Sequence, residues 1–286
     1  MGPAPITPKR IPFLAERKGT KSFVFCKLSS FYYLCVSNPT AMSAPNKTAQ
    51  YDFTILVPFF NEKENTAALE ERLGAYLAHC PVKACVLFVN DGSTDGGDAL
   101  IREACARQPH FYWLDLEHTG LSGALKAGIA ACRSRLVGYI DADLQTDPED
   151  FNLLLAESDH YELVLGIRAN RKDGFVKRAS SKIANGWRRM MTHDGITDTG
   201  CPLKVMQTAC AQKIPMFKGM HRFIPACIQM VGGRCKEIPV RHYPRTAGKA
   251  KYNLANRLVG PFVDCFGWRW MKKRYLNVRI KGGNLE

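Results

Sequence analysis

The hydrophobic positions of the chain fall into short apolar runs separated by amphipathic stretches. The clearest runs are residues 52–57, 84–89 and 136–140. Their length and continuity are typical of strands buried in a sheet. After the first run, leucines recur at the spacing of one helical face, at Leu69, Leu73 and Leu77. Strands that alternate with helices predict an open α/β sheet flanked by helices.

Polar, turn-forming residues follow each of these runs. Asp141 and Asp143 come directly after the third run, and an open α/β sheet binds its ligands outside the carboxyl ends of its strands. Because Mg²⁺ and Mn²⁺ prefer carboxylate oxygens and keep other positions for water and phosphates, the pair predicts a holder of a metal–diphosphate. The alternative is a local Asx turn that leads into a helix starting near Asp147 and Pro148.

The turns form an ordered set of motifs. Pro58 and Asn61-Glu62 follow the first run, Asn-Asp-Gly-Ser-Thr-Asp (90–95) follows the second, and Asp-Ala-Asp-Leu-Gln (141–145) follows the third. This set resembles the nucleotide-sugar-binding half of the inverting family 2 glycosyltransferases with a GT-A fold. Later motifs are most similar to those of dolichol-phosphate mannosyltransferases and other polyprenyl-phosphate sugar transferases: residues 198–201, 221–225, 237–240 and 245–252. The resemblance covers about residues 52–255.

The resemblance implies a mixed GT-A sheet and an enzyme that moves one sugar, with inversion, from a nucleotide-sugar to polyprenyl or dolichyl phosphate. The donor would be GDP-mannose or a UDP-hexose. A Mg²⁺ or Mn²⁺ cofactor would be held by Asp143 first, with Asp141 and Gln145; Asp141 alternatively contacts the nucleotide or the sugar. The positions that match donor contacts in the family are Pro58, Phe60, Glu62, Asp91, Asp141, Ala142, Arg168 and Lys251.

Asp143, Asp198 and Arg245 are the predicted catalytic residues. Arg245 and Lys251 match basic residues of a loop that closes over the phosphates in the family, although simple solvation is an alternative. A lipid phosphate is already anionic and needs no strong general base, whereas a sugar hydroxyl needs one. Asp198 would orient the nucleophile or act as that base; the alternative is a turn residue beside Gly200.

Three further observations bear on the ligands. His221 and Arg222 are candidates for binding the acceptor phosphate, although a lone histidine is more often structural. Asn90 stands where many relatives carry Asp, and Phe60 stands where many carry Tyr. Both departures leave the identity of the donor open.

The charge of the chain is concentrated at its ends. The chain has a net charge of +14: residues 1–50 carry +6, residues 241–286 carry +9, and residues 51–240 are close to neutral at −1. A nucleic-acid-binding protein would instead carry a basic stripe on its folded body, so we expect no nucleic-acid partner. The C-terminal charges alternate with aromatic residues, which suits the headgroup region of a membrane; an ordinary packed helix is the alternative. Gly260-Pro261 predicts a kink or a break in any helix there.

Length and composition agree with one α/β domain plus appendages. The chain has 286 residues, 46% of them hydrophobic, and its eleven cysteines lack Cys-x-x-Cys pairs, which argues against a disulfide framework or a zinc site. We expect a poorly ordered N-terminal extension (1–50), a catalytic domain (51–253) and a membrane-interface segment (254–286). Residues 1–41 are expected to be dispensable, with Met42 as a possible start.

The sequence therefore predicts a peripheral enzyme at the cytoplasmic face of a membrane. No run reaches the roughly 18 apolar residues of a spanning helix, while many polyprenyl-phosphate transferases carry such helices, so a membrane partner subunit is possible. Two alternatives stay open. One is a transferase that adds a sugar to a hydroxyl of a surface polysaccharide. The other is a non-catalytic nucleotide-sugar-binding subunit recruited to the membrane.

Overall fold

The computed structural model describes residues 46–168, 175–244 and 254–278, and within these ranges seven strands form one sheet. The strands are β1 (Phe53–Phe59), β2 (Ala84–Asn90), β3 (Phe111–Asp115), β4 (Leu136–Tyr139), β5 (Leu163–Arg168), β6 (Lys204–Gln207) and β7 (Cys235–Val240). The α-helices are α1 (Thr66–Leu77), α2 (Gly97–Arg107), α3 (Leu121–Ala131), α4 (Phe151–Leu155), α5 (Phe175–Thr192), α6 (Thr208–Ala211), α7 (Ile224–Met230) and α8 (Leu254–Arg274). The predicted first, second and third strands are confirmed as β1, β2 and β4.

The strand order is β3-β2-β1-β4-β6-β5-β7. Strands β1 to β4 pair in parallel, β6 is antiparallel to both of its neighbours, and β7 is parallel to β5. The chain leaves β1 in one direction through β2 and β3, then returns to its other side as β4. This reversal puts the carboxyl ends of β1 and β4 at a switch point, where such sheets bind ligands. Because β6 runs the opposite way, the segment before it arrives at the same edge.

Alternating residues of the central strands feed two cores, one on each face of the sheet. Ile55 and Val57 of β1 join the core that includes Leu69 and Leu73 of α1, whereas Leu56 faces the core built with α3. All of these side chains are buried. The period of two along β1 therefore fixes both helices against the sheet.

Residues 46–50 group with the unit that contains the sheet and not with the predicted extension. The turn Lys47–Gln50 is held against the end of α3. The Arg133 backbone amide donates to the Thr48 hydroxyl (2.8 Å), and the Asn46 side-chain amide donates to the Ala131 carbonyl (2.6 Å). The prediction that residues 1–41 are dispensable concerns residues outside the described ranges.

Helix α8 runs through Gly260-Pro261 without a break, so of the predicted kink or break, the break is wrong. A proline inside a helix costs about 3 kcal/mol. Packing of the later turns offsets this cost, because Cys265 and Trp268 are buried in the same core as Met191 of α5. No helix in the described part of the chain is long and apolar enough to cross a bilayer.

Candidate active site

Asp141 and Asp143 lie at the carboxyl end of β4, as predicted. The Tyr139 hydroxyl donates to Asp141 Oδ1 (2.5 Å), and Asp143 Oδ1 accepts from the Gln145 amide (3.2 Å). Leu144, directly after Asp143, has a φ of 58°, a left-handed conformation that is costly for such a side chain. Burial, then the nearby charge of Asp143, raises the pKa of Asp141 to about 6. Two carboxylates are thus held together against their repulsion.

This donor set fits a Mg²⁺ or Mn²⁺ ion shared with a diphosphate. Such ions are commonly bound by one or two carboxylates, with water and substrate phosphates at the remaining positions. No cluster of three or more His, Cys, Asp or Glu side chains suited to a metal occurs in the ranges 46–168, 175–244 and 254–278, so two carboxylates are what these ranges offer here. A cation would also relieve the repulsion that raises the pKa of Asp141.

Both parts of the local alternative are present in this loop: the bond from the Gln145 amide to Asp143 Oδ1 forms an Asx turn, and a helix cap follows at Asp147. The assignment of Asp141 and Asp143 as metal ligands stays a prediction. Asp147 Oδ1 accepts from the Glu149 amide (3.1 Å) and caps the turn Pro148–Asp150. Asp141 and Asp143 lie before that turn. Gln145 is half-buried, and its carbonyl accepts from the Tyr243 amide (2.9 Å); its role as a metal ligand stays a prediction.

The loops after β1 and β2 are joined into one wall. The Asn61 amide donates to the Ser93 hydroxyl (3.0 Å), and Asn61 Oδ1 accepts from the Thr94 amide (2.7 Å). Asn61 has a φ of 48°, a conformation that Asn tolerates better than most residues. Pro58 pairs with Val89 inside the sheet, and Glu62 Oε2 accepts from the Asn65 side chain (2.7 Å). The two loops that carry the predicted donor contacts are therefore joined to each other.

Asp91 holds a third loop. Its carboxylate accepts from the backbone amides of Thr119 (2.7 Å) and Gly120 (2.8 Å), and its Oδ2 lies 2.9 Å from His118 Nδ1. The His118 ring stacks on Phe60, with 4.3 Å between centroids and 26° between planes. His118 was not predicted. The described geometry gives Asp91 the task of fixing this loop, and His118 shares the rim with Phe60.

Asn90 is explained by its neighbours. Its amide nitrogen donates to Asp115 Oδ1 (2.9 Å) at the end of β3, and its amide oxygen accepts from the Ser93 backbone (3.0 Å). An aspartate could not donate and would face a second carboxylate. The described contacts therefore suit an asparagine at position 90 better than an aspartate.

Arg168 and Asp198 form a bidentate ion pair beside the carboxylates. Arg168 Nε donates to Asp198 Oδ2 (2.8 Å), its Nη2 donates to Oδ1 (2.7 Å), and its backbone amide lies 3.2 Å from Oδ2. Both side chains are largely buried. The positive charge of Arg168 partly counteracts the rise in the pKa of Asp141. The ion pair therefore lies near the predicted metal site. Two predicted residues are thus in direct contact.

A buried lysine that the sequence did not reveal lies next to this pair. Lys204 is 1% exposed, and its ammonium donates to the carbonyls of Thr199 (3.4 Å) and Cys201. The only sequence signal is one basic residue within the apolar run 202–206.

His221 does not offer a positive charge to a phosphate. Its Nδ1 lies 3.0 Å from the Ser122 hydroxyl of α3. Burial, followed by the charges of Arg222 and Lys204, lowers the pKa of His221 to about 3, so the ring is neutral at pH 7. These contacts favour the structural alternative for His221; acceptor binding by Arg222 stays a prediction.

Arg245 and Lys251 lie outside the described residues. The segment just before them is anchored to the loop that follows the carboxylates. The Arg241 amide donates to Asp150 Oδ2 (2.7 Å), its Nε donates to Oδ1 (2.9 Å), and Nη1 lies 3.2 Å from Asp147.

Helices α5 and α8 share an exposed apolar face. Trp187 of α5 stacks on Phe262 of α8 (4.5 Å between centroids, 18° between planes). Four exposed apolar side chains flank this contact: Ile183, Met190, Phe266 and Trp270. Helix α8 then ends in three basic residues, Lys272, Lys273 and Arg274. We call this set the α5–α8 face.

Comparison with protein families and curated proteins gives consistent matches. A family model described as Glycosyl transferase family 2 matches residues 54–213. Dodecaprenyl-phosphate galacturonate synthase of Rhizobium johnstonii is 33% identical over 211 residues, which are 71% of this chain and 62% of that protein. Undecaprenyl-phosphate 4-deoxy-4-formamido-L-arabinose transferase of Edwardsiella ictaluri is 30% identical over 224 residues, 77% of this chain and 69% of that protein. The chain thus spans under two thirds of the first relative.

Solved structures share the fold. Mannosyl-3-phosphoglycerate synthase of Rubrobacter xylanophilus has a TM-score of 0.59 at 14% identity, covering 82% of this chain and 79% of that one. Glucosyl-3-phosphoglycerate synthase of Mycobacterium tuberculosis, in complex with Mn²⁺, UDP and glucosyl-3-phosphoglycerate, has a TM-score of 0.58 at 10% identity, covering 79% and 81%. At these identities the likeness concerns the fold alone, and it confirms the predicted GT-A-like mixed sheet.

Proposed function

We propose, because this chain belongs to glycosyl transferase family 2, that it transfers a single sugar from a nucleotide-sugar to a polyprenyl phosphate. The names of the two curated relatives support this acceptor class. The donor is proposed to lie along the wall formed by the loops after β1 and β2, with Phe60 and His118 at its rim. Its diphosphate would then reach Asp141 and Asp143.

The Arg168–Asp198 pair is the observation that carries the choice of acceptor. Both oxygens of Asp198 accept from the Arg168 guanidinium, so we assign Asp198 the task of orienting that guanidinium. Arginine in a fixed orientation is well suited to phosphate. A hydroxyl acceptor needs a general base, whereas a phosphate acceptor needs only to be held and aimed. The pair therefore favours a lipid phosphate over a sugar hydroxyl.

The proposed reaction is one displacement at the anomeric carbon. An oxygen of the acceptor phosphate forms the new bond on one side as the bond to the diphosphate oxygen breaks on the other, and the electron pair leaves with the diphosphate, so the configuration is inverted. Mg²⁺ or Mn²⁺ held by Asp141 and Asp143 would supply positive charge for the departing diphosphate. Arg168, which the sequence predicted as a donor contact, would instead hold the attacking phosphate. The structural relative solved with Mn²⁺ and UDP agrees with metal use in this fold.

We also propose that the enzyme binds the cytoplasmic surface of a membrane through the α5–α8 face. Exposed aromatic side chains beside Lys and Arg suit the headgroup region. The cytoplasmic leaflet is anionic and attracts such basic segments. A prenyl phosphate acceptor lies in a membrane, so a docked enzyme would meet it there. A membrane partner subunit stays a hypothesis.

The direct test is transfer of radiolabelled sugar to undecaprenyl or dolichyl phosphate, with Mn²⁺ or with EDTA. The donors would be GDP-mannose, UDP-glucose, UDP-galacturonate and UDP-4-deoxy-4-formamido-L-arabinose. A chloroform-soluble product that EDTA abolishes is expected. Asp143→Ala should remove this turnover and leave the far-UV circular dichroism spectrum unchanged. Asp159→Asn, in an exposed ion pair with Arg135, is the control and should retain activity.

Three results would contradict parts of the proposal. Unchanged turnover in Asp143→Ala would remove the metal assignment. Donor binding with transfer to a polysaccharide hydroxyl would replace the acceptor. Donor binding without any transfer would favour a non-catalytic subunit.

A further inference from the structure

Lys204 occupies an unusual position for a lysine. It is the first residue of β6, and the register of the sheet places it between Tyr139 of β4 and Leu165 of β5. Its ammonium lies 5.4 Å from the centroid of the Tyr139 ring. Lysine is almost never fully buried unless it is paired, and an apolar residue of similar volume often serves packing as well as a buried ion does. The position therefore calls for a reason beyond packing.

Lys204 fixes the carbonyl side of the segment that carries Asp198. Its ammonium binds the carbonyl oxygens of Thr199 and Cys201, which come one and three residues after Asp198. The path of the chain directly after Asp198 thus depends on this side chain. Burial lowers the pKa of Lys204 below its ordinary value, and the charges of Asp198 and Asp141 partly counteract this shift.

Glu237 fixes the amide side of the same segment. Its Oε1 accepts from the backbone amides of Thr197 (2.9 Å) and Asp198 (3.0 Å) and from the Thr197 hydroxyl (2.8 Å). Glu237 lies on β7, opposite Leu165 of β5. Both charged side chains therefore act from strands of the sheet, which hold a site more rigidly than loops do.

The segment between them lies against Arg168. A Cβ added at Gly200 would come within 2.6 Å of Arg168 Nη2, so the guanidinium rests directly on the backbone that Lys204 holds. A shift of residues 198–201 would move both the Asp198 carboxylate and the surface under the guanidinium. The orientation of Arg168 is thus tied to these two contacts.

We propose that Lys204 and Glu237 are positioning residues that hold residues 197–201 from opposite sides, so that the Arg168–Asp198 pair is aimed at the acceptor phosphate. This inference rests on the proposed function, because it assigns the acceptor phosphate to Arg168. Neither side chain is assigned a contact with the reacting atoms. Their loss should therefore weaken use of the acceptor more than binding of the donor nucleotide.

The kinetic test compares Lys204→Met, Glu237→Ala and Glu237→Gln. We expect the KM for polyprenyl phosphate to rise roughly 10- to 100-fold in the first two, the effect of losing a hydrogen bond to a charged group. The Kd for the donor's nucleoside diphosphate with Mn²⁺ should change less than about threefold, since this ligand is assigned to other loops. Glu237→Gln should recover most of the loss, because its amide oxygen still accepts from both backbone amides. Lys213→Met, at an exposed lysine, is the control and should match the wild type.

Hydrogen exchange supplies a readout that does not depend on turnover. Peptides that cover residues 197–201 should exchange faster in Lys204→Met and Glu237→Ala, while β1 peptides keep the wild-type rate. If Lys204→Met does not fold, Glu237→Ala, which is only half-buried, carries both measurements. An acceptor KM within about twofold of wild type in the folded variants, an equal loss of donor binding, or unchanged exchange would each overturn the inference. Failure of the proposed function looks different: the wild type itself makes no lipid product, and exchange alone then decides.

Discussion

Two tryptophans of helix α8 separate membrane contact from packing. Trp268 is 2% exposed and belongs to the core that includes Cys265. Trp270 is 54% exposed, and the Arg274 guanidinium lies 4.8 Å from the centroid of its ring. The same substitution at the two positions changes the same residue type on the same helix. Trp270→Ser should therefore weaken vesicle binding, and Trp268→Ser should weaken the fold.

The exposed area sets the size of the first effect. A buried tryptophan covers roughly 250 Å², so 54% exposure leaves on the order of 130 Å² of Trp270 for a membrane to cover. At about 25 cal/mol per Å², the loss is up to ~3 kcal/mol, or about 100-fold in vesicle affinity. The free energy of unfolding should change by about 1 kcal/mol or less, since Trp270 lies outside the core.

Trp268→Ser should behave in the opposite way. Truncating a buried tryptophan costs about 3–5 kcal/mol of unfolding free energy, while the folded fraction should bind vesicles nearly as the wild type does. The assays are sedimentation with vesicles that contain phosphatidylglycerol, and urea unfolding followed by circular dichroism. Wild-type vesicle binding by Trp270→Ser, with a loss in Trp268→Ser that parallels its instability, would refute membrane docking. Helix α8 would then be an ordinary packed helix.

Two further predictions concern buried carboxylates. The pKa of Asp141 is raised from 3.8 to about 6 by burial and then by Asp143, so its contribution is present at low pH and lost as pH rises from about 4 to about 6. In EDTA, the free energy of unfolding measured in urea should fall by roughly 1–3 kcal/mol across that pH range. Asp141→Asn should make this free energy nearly independent of pH over the same range. The affinity for Mn²⁺, measured by calorimetry, should fall as the pH drops below about 6. Asp194→Asn removes the charged partner of the buried Arg188 and should lower the free energy of unfolding by about 3–5 kcal/mol. Asp159→Asn, in an exposed ion pair, should lower it by less than about 1 kcal/mol. Equal losses in the two variants would show that burial does not set the cost.

The sequence predicted the strands that short apolar runs determine. Strands β1, β2 and β4 are short buried runs, and the polar ends of parallel strands meet at one edge of a sheet, so Asp141, Asp143 and Asp91 could be placed near one another from the sequence. What could not be predicted is the partner of each. Asp91 holds Thr119 and Gly120 because β3 lies beside β2, and no local spacing indicates that contact.

Two outcomes depended on tertiary packing alone. Lys204 is buried because β6 inserts antiparallel between β4 and β5, and a single lysine in an apolar run gives no sign of such a neighbourhood. Helix α8 continues through Pro261 because Cys265 and Trp268 are buried on the domain. The local rule against a mid-helix proline is a statement of energy, and packing outweighs it here.

The charges of the site indicate that the bound substrates need cations besides Arg168 and Lys204. Among these residues, three carboxylates (Asp141, Asp143 and Asp198) lie close to two buried cations, Arg168 and Lys204, and this group carries one net negative charge at pH 7 when all five are ionised. A divalent ion would change this net charge from one negative to one positive. A diphosphate and a lipid phosphate together bring more negative charge than this reversal balances, and buried anions without partners are costly. Further cations are then required when both substrates are bound, and the predicted sources are Arg222 together with Arg245 and Lys251, which lie outside the described residues.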